Sequence, residues 1–311
     1  MPTSPNTRQH STVAVVGLGS IGGAAAGCLI AAGRHDVVAC VRRPIARLTL
    51  EQPQQAEMTT IEVPVRALTE PAQASPVDWV LLCTKTQQTE TTAPWLHRLC
   101  TPSTRVGVLQ NGIGHVQRIA PLAGRAEIVP VIVYYNGERL AADRVRLRQA
   151  GNYDLAVSDD QAGHAFAQLL RGTPLRVLLS DDFATLAWRK LLINAIANPI
   201  TTLTLQRQAV LRRADVQELC LAVLDEAAAV ARAEGARLAD DEPARALAAL
   251  FTFSAELGTS MYFDRLAGHP LEVEALTGAI VAAGDRHGIA TPLNRALLTL
   301  LRAISDAAEK S

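Results

Sequence analysis

The stretch Val13-Ala14-Val15-Val16-Gly17-Leu18-Gly19-Ser20-Ile21-Gly22 decides the fold. Four apolar residues in a row read as a strand covered on both faces, because a half-exposed strand would alternate. They run straight into G-x-G-x-x-G, and small residues then continue as a helix over 20–32 that Gly33 ends. Such a turn needs glycine three times: for its tightness, for close approach of a pyrophosphate, and for packing of helix on strand. The helix start also offers unpaired backbone N–H groups and the positive end of a dipole to phosphates. Strand before and helix after make Gly17, Leu18, Gly19, Ser20, Ile21 and Gly22 a candidate dinucleotide-binding turn.

Working outward, residues 36–41, 77–83 and 106–109 are further apolar runs, with 87–99 helical between the last two. Strands alternating with helices predict βαβ units and a parallel sheet. The texture changes after 128. Residues 128–135, 144–148 and 153–157 read as antiparallel strands, with Asn136-Gly137 as a hairpin turn. One more helix (161–171) and strand (175–179) follow, and then the strand signals stop. Helices are expected over 184–198, 216–234, 243–257, 272–287 and 293–308, with Gly235 and Gly288 as terminators. The fold class is α/β: a Rossmann dinucleotide-binding domain over 1–180, then an all-helical domain over 181–311. The chain shows no internal repeat and no low-complexity linker.

Lysine and arginine total 30, aspartate and glutamate 30, for a formal net charge of zero. A nucleic-acid binder would carry a basic excess, so that class of partner is not expected. No apolar run approaches the ~18 residues of a membrane span. The polar start, residues 1–12, lacks a signal-peptide layout and reads as a short disordered leader on a cytoplasmic protein. Cys28, Cys40, Cys83, Cys100 and Cys220 stand singly, so neither a disulfide framework nor a metal site is expected.

The end of the second strand selects the cofactor. An NAD site usually places Asp or Glu there to accept bonds from the ribose 2′-hydroxyl. This strand ends Cys40-Val41-Arg42-Arg43. A guanidinium suits a 2′-phosphate through forked, charge-assisted bonds, so the expected cofactor is NADP (NADPH), with Arg42 the main contact and Arg43 secondary.

Of the 30 basic residues only three are lysines, Lys85, Lys190 and Lys310. In a chain that has otherwise chosen arginine, a retained amine invites a role that a guanidinium cannot fill. Lys190, Asn194 and Asn198 are spaced i, i+4, i+8 and would form one polar stripe on a helix otherwise rich in Leu191, Leu192, Ile193 and Ile196. Pro199 is expected to break that helix and turn Asn198 toward the cleft between the two domains.

The segment Trp188-Arg189-Lys190-Leu191-Leu192-Ile193-Asn194, with Asn198-Pro199, resembles the ketopantoate reductase (2-dehydropantoate 2-reductase) family. So do Gly17-x-Gly19-x-x-Gly22, Cys83-Thr84-Lys85, Gln110-Asn111-Gly112, Ser260-Met261 and Glu272, in the same order over nearly the whole chain. The resemblance implies NADPH-dependent reduction of ketopantoate to pantoate, a small 2-oxo acid as substrate, and a homodimer formed through the helical domain. It implies Lys190 as catalytic lysine and Glu272 as the acid that grips the substrate hydroxyl. Asn194, Asn198, Ser260 and Asn111 match substrate-binding positions, and Lys85 and Asn111 match residues beside the nicotinamide.

The sequence departs from that family in two places. Thr277 stands where members often carry Asn, five residues after the glutamate, and Tyr134-Tyr135-Asn136 is bulkier than expected. Both leave open a different 2-oxo acid or ketone as substrate, and a nucleotide-sensing module without turnover is the reading from another class. Glu272, after Pro270, is expected to open the helix over 272–287, where the dipole alone would favour an acid.

The chemistry suits these residue types. Reducing a ketone places negative charge on oxygen, which must be stabilised and then protonated. A lysine ammonium can do both, and burial brings its pKa toward the working range. Arginine offers the charge without the proton.

Overall fold

The computed structural model describes residues 10–54, 57–149 and 151–309. Most of the expected leader and Lys310 lie outside the described residues. The elements run, in chain order, β1 (Thr12–Val16), α1 (Ser20–Ala32), β2 (Asp36–Cys40), β3 (Arg47–Gln54), β4 (Glu57–Pro64), β5 (Arg66–Leu68) and β6 (Trp79–Leu82). They continue α2 (Ala93–Leu99), β7 (Arg105–Val108), α3 (His115–Ala123), β8 (Glu127–Pro130), β9 (Ile132–Val133), β10 (Asn136–Ala141), β11 (Arg144–Arg148), β12 (Leu155–Ser158), α4 (Gln161–Leu169) and β13 (Val177–Ser180). Helices follow: α5 (Phe183–Thr204), α6 (Ala214–Ala233), α7 (Glu242–Leu250), α8 (Ser260–Leu266), α9 (Thr277–His287) and α10 (Pro292–Glu309). Among the described residues no helix is long and apolar enough to cross a membrane.

Two compact units result. The first holds Met1–Gln110 and His115–Asp181, and the second Asn111–Gly114 and Asp182–Ser311.

In the first unit a six-stranded sheet runs β5-β2-β1-β6-β7-β8, every neighbouring pair parallel. This is the doubly wound order, with its switch point between β1 and β6. Alternate β1 residues feed opposite cores. Val13 and Val15 join α1 and α4 on one face, and Ala14 and Val16 join α2 and α3 on the other.

Helix α1 is made of small residues because it is covered twice. A smaller sheet, β10-β11-β3-β4, lies across its second side. A methyl on Gly23 would touch Val145 at 3.5 Å, and one on Gly27 would press Leu50 at 3.3 Å. This sheet also corrects two expectations. Its strands β3 and β4 carry no apolar run and were not expected, nor was the short edge strand β5 of the main sheet. Asn136-Gly137 is not a turn: both residues begin β10, which pairs with β11 through Asn136↔Arg148 and Gly137↔Leu147. The chain reverses at Ala142-Asp143 instead. Glycine is required at 137 because a Cβ there would collide with the Ser20 carbonyl oxygen. Tyr135, also in this unit, is fully buried and donates its hydroxyl to the Ile21 carbonyl at 2.8 Å. Its bulk is spent on α1.

The second unit is a helical bundle around α5. Leu191, Leu192, Ala195 and Ile196 pack with Val223, Leu224, Ala227 and Ala228 of α6 in one core. The expected break at Pro199 does not occur, and α5 continues to Thr204. Proline removes a single backbone bond there, while both neighbours, Asn198 and Ile200, are held in the interior. Two further differences concern the end of the chain. The expected helix 243–257 stops at Leu250, and α9 starts at Thr277 and not at Glu272.

Candidate active site

The glycine turn is built as its sequence requires. Gly17 has φ +92°, and a Cβ there would meet Thr84 Cγ2 at 2.8 Å. A Cβ on Gly22 would run into the Gly17 carbonyl oxygen and approach Cys83 Cβ to 2.7 Å. Gly19 is different. It precedes α1 with an ordinary φ of −72°, and a Cβ on it would stand in open space. Among the described residues nothing therefore demands glycine at 19, and close approach of a ligand's phosphates is the physical reason that such a turn supplies.

These facts separate two substitutions. Gly22→Ala is expected to lower the melting temperature by several degrees through backbone collision. Gly19→Ala is expected to leave melting within about a degree and to abolish most dinucleotide binding, measured by nucleotide titration of both folded variants.

The remaining nucleotide-side candidates gather at the same sheet edge. The Gly17 N–H donates to the Cys40 carbonyl at 3.1 Å, which ties the turn to the end of β2. Arg42 and Arg43 follow immediately and are exposed. Lys85 stands half-buried just beyond β6, where it precedes a short 3-10 turn. Gln110 ends β7's excursion to that edge and is buried, with its amide bonded to Thr84 and Thr89. The sequence had marked this residue only as part of a motif. Its signal was a lone polar amide closing the apolar run 106–109.

In the helical unit, Lys190 lies on α5 and is half-buried. Crowding around its amine lowers the pKa from its ordinary value to about 8, and the negative charge of Glu272 partly opposes that fall. Glu272 is 5% exposed. It sits before α9 in non-helical chain, so the helix-dipole explanation for an acid here fails. Its Oε2 accepts from Asn111 Nδ2 at 3.0 Å. Three neighbours fix the segment that carries it. The Leu271 N–H donates to Ser305 Oγ at 2.9 Å, Arg302 grips Glu274 with two bonds of 2.7 Å, and the Gly112 α-carbon packs against the Ala275 carbonyl. Gly112 has φ +89° and a Cβ there would strike that carbonyl, so the turn presenting Asn111 needs glycine.

Asn194 is half-buried and Asn198 buried. Both share the α5 face of Lys190 by helical spacing. Ser260 opens α8 and is exposed. Its helix is tied to α5 by a 2.8 Å bond between Thr259 Oγ1 and Thr201 Oγ1, one turn beyond Asn198. Thr277 is fully buried, and its hydroxyl has no hydrogen-bond partner among the described residues. The amide that steadies Glu272 comes from Asn111, far away in sequence. That long-range pair had no sequence signal.

Chemically, the helical unit offers an amine poised between its charged and neutral forms beside a positioned carboxylate. The α/β unit offers open space over Gly19 at the head of a helix. Family models for "Ketopantoate reductase PanE/ApbA" and for its C-terminal part match residues 13–160 and 182–305. The chain is 38% identical over 296 residues to a 2-dehydropantoate 2-reductase of Caulobacter vibrioides, covering 94% of this chain and 99% of that one. It is 40% identical over 295 residues to a 2-dehydropantoate 2-reductase of Mycobacterium tuberculosis, covering 94% and 98%. Among solved structures, a dimeric ketopantoate reductase from Staphylococcus aureus superposes with a TM-score of 0.83 at 26% identity, covering 96% of this chain and 99% of that one.

Proposed function

Because the chain belongs to the ketopantoate reductase family, we propose that it reduces 2-dehydropantoate to pantoate with a nicotinamide dinucleotide, and that Lys190 supplies the proton. One observation carries the assignment of roles: a half-buried lysine amine with pKa about 8 stands under the influence of Glu272, whose carboxylate is itself held by Asn111.

The α/β unit suits the cofactor, since an incoming phosphate accounts for glycine at 19 where no described residue does. Gly17 to Gly22 would hold the pyrophosphate, Arg42 the ribose 2′-phosphate of NADPH, and Lys85 the nicotinamide end. When bound, the reduced nicotinamide supplies the hydride. The protein's own residues do the rest. Lys190 stabilises the ketone oxygen as it gains negative charge and transfers the Nζ proton to it, giving the alcohol. The neutral amine then regains a proton from solvent. Glu272 accepts a hydrogen bond from the substrate's hydroxyl, and Asn194, Asn198 and Ser260 bind its remaining polar groups.

The test is a panel of 2-oxo acids followed by NADPH absorbance. Ketopantoate is expected to give the highest kcat/KM, above bulkier aryl or alkyl acids. Failure of every 2-oxo acid to turn over would end this reading. The cofactor preference is tested separately. Arg42→Ala is expected to weaken NADPH by about 10- to 100-fold, the worth of a charge-assisted contact, and to leave NADH nearly unchanged. Equal effects on both cofactors would remove the 2′-phosphate role.

A further inference from the structure

The Gln110 side chain is the junction of two loops at the carboxyl edge of the main sheet. It is 4% exposed. Its Nε2 donates to the Thr84 carbonyl at 3.1 Å, to Thr84 Oγ1 at 3.3 Å and to Thr89 Oγ1 at 2.9 Å. Its Oε1 lies 3.3 Å from Thr89 Oγ1 and accepts from Arg118 Nη2 at 3.4 Å. One amide from the loop after β7 thus fastens both ends of residues 84–89, the loop after β6. Thr84 also abuts Gly17, within 2.8 Å of where a side chain there would begin. Lys85 lies inside the fastened loop, between the two threonines that Gln110 holds.

We propose that Gln110 is a positioning residue for the nicotinamide half of the dinucleotide. The inference rests on the reading that this unit binds NADPH. In the doubly wound fold the two halves of a dinucleotide lie on opposite sides of the switch point. Arg42, beyond β2, takes the adenosine side and the glycine turn takes the pyrophosphate. The other half then falls over the ends of β6 and β7, where Gln110 holds the 84–89 loop in one shape. A loop ordered before binding spares the ligand the entropy of ordering it.

Because Gln110 acts on one half only, its removal should be felt only by ligands that carry that half. Gln110→Met keeps the size and loses the bonds, Gln110→Glu keeps the shape and loses the donors, and Thr89→Val removes one anchor if the first two fold poorly. Dissociation constants are measured by titration for NADPH and for 2′-phospho-ADP-ribose, which lacks the nicotinamide. The expected result is about a tenfold loss for NADPH, the worth of one or two net hydrogen bonds, with 2′-phospho-ADP-ribose held within twofold. A merely structural role would weaken both ligands together. Equal losses, or no loss for NADPH in folded variants, overturn the proposal. Wild-type protein that binds neither NADPH nor NADH would overturn the cofactor reading as well, so the two failures are distinguishable.

Discussion

Replacing Lys190 with alanine is expected to slow ketopantoate reduction by ~10²–10⁴-fold, the usual contribution of a positioned general acid. Binding of NADPH should be unchanged, because Lys190 belongs to the helical unit and the glycine turn to the other. Arginine at 190 should rescue little. It restores the positive charge but holds its proton too tightly to give it up. The wild-type pH profile carries a matching signature. Burial lowers the Lys190 pKa to about 8. The ammonium is the reactive form for reduction, so kcat/KM should be level below that pH and fall as pH rises through it. Oxidation of pantoate needs the neutral amine and should rise over the same interval. A flat reduction profile between pH 7 and about 9.5, or near-normal turnover of the alanine variant, would remove Lys190 from the chemistry.

Glu272 carries the second large effect. A carboxylate accepting from a substrate hydroxyl contributes about 1.5–3 kcal/mol, so Glu272→Gln should lower kcat/KM for ketopantoate roughly 10- to 150-fold, chiefly through KM. With 3,3-dimethyl-2-oxobutanoate, the same acid without the hydroxyl, the loss should be small. A further change follows from sign. The Glu272 charge raises the Lys190 pKa against the effect of burial. Neutralising it should move the fall in reduction rate to lower pH, even for the substrate that Glu272 does not grip. Equal losses on both substrates with an unmoved profile would make Glu272 merely structural.

The inner strands of the central sheet were legible because both of its faces are covered. Val13 to Val16 and Trp79 to Leu82 are apolar without interruption, a signal that survives in sequence. Strands β3 and β4 were missed because their buried apolar residues are interrupted by polar ones, Glu51 being buried in pairs with Arg144 and Arg146. Leu48 and Leu50 point at α1 while Thr49 and Glu51 alternate with them, a pattern easily taken for loop. Asn136-Gly137 misled for a sharper reason. The turn rule credits glycine with conformational freedom, whereas Gly137 is needed for closeness to the Ser20 carbonyl. At the site, helical spacing exposed the face bearing Lys190, Asn194 and Asn198. The partner of Glu272 stayed hidden, since the Asn111 amide is supplied from 161 residues earlier in the chain.

Residues Asn111–Gly114 have a practical consequence for anyone who would cut or recombine this chain. The obvious seam near residue 181 is not a clean one. A fragment severed there keeps Ile113, an apolar side chain whose packing partners are left in the other piece. The complementary fragment loses the amide that steadies Glu272. Chimeras that exchange helical halves between relatives must therefore transplant four residues from the middle of the opposite half along with them.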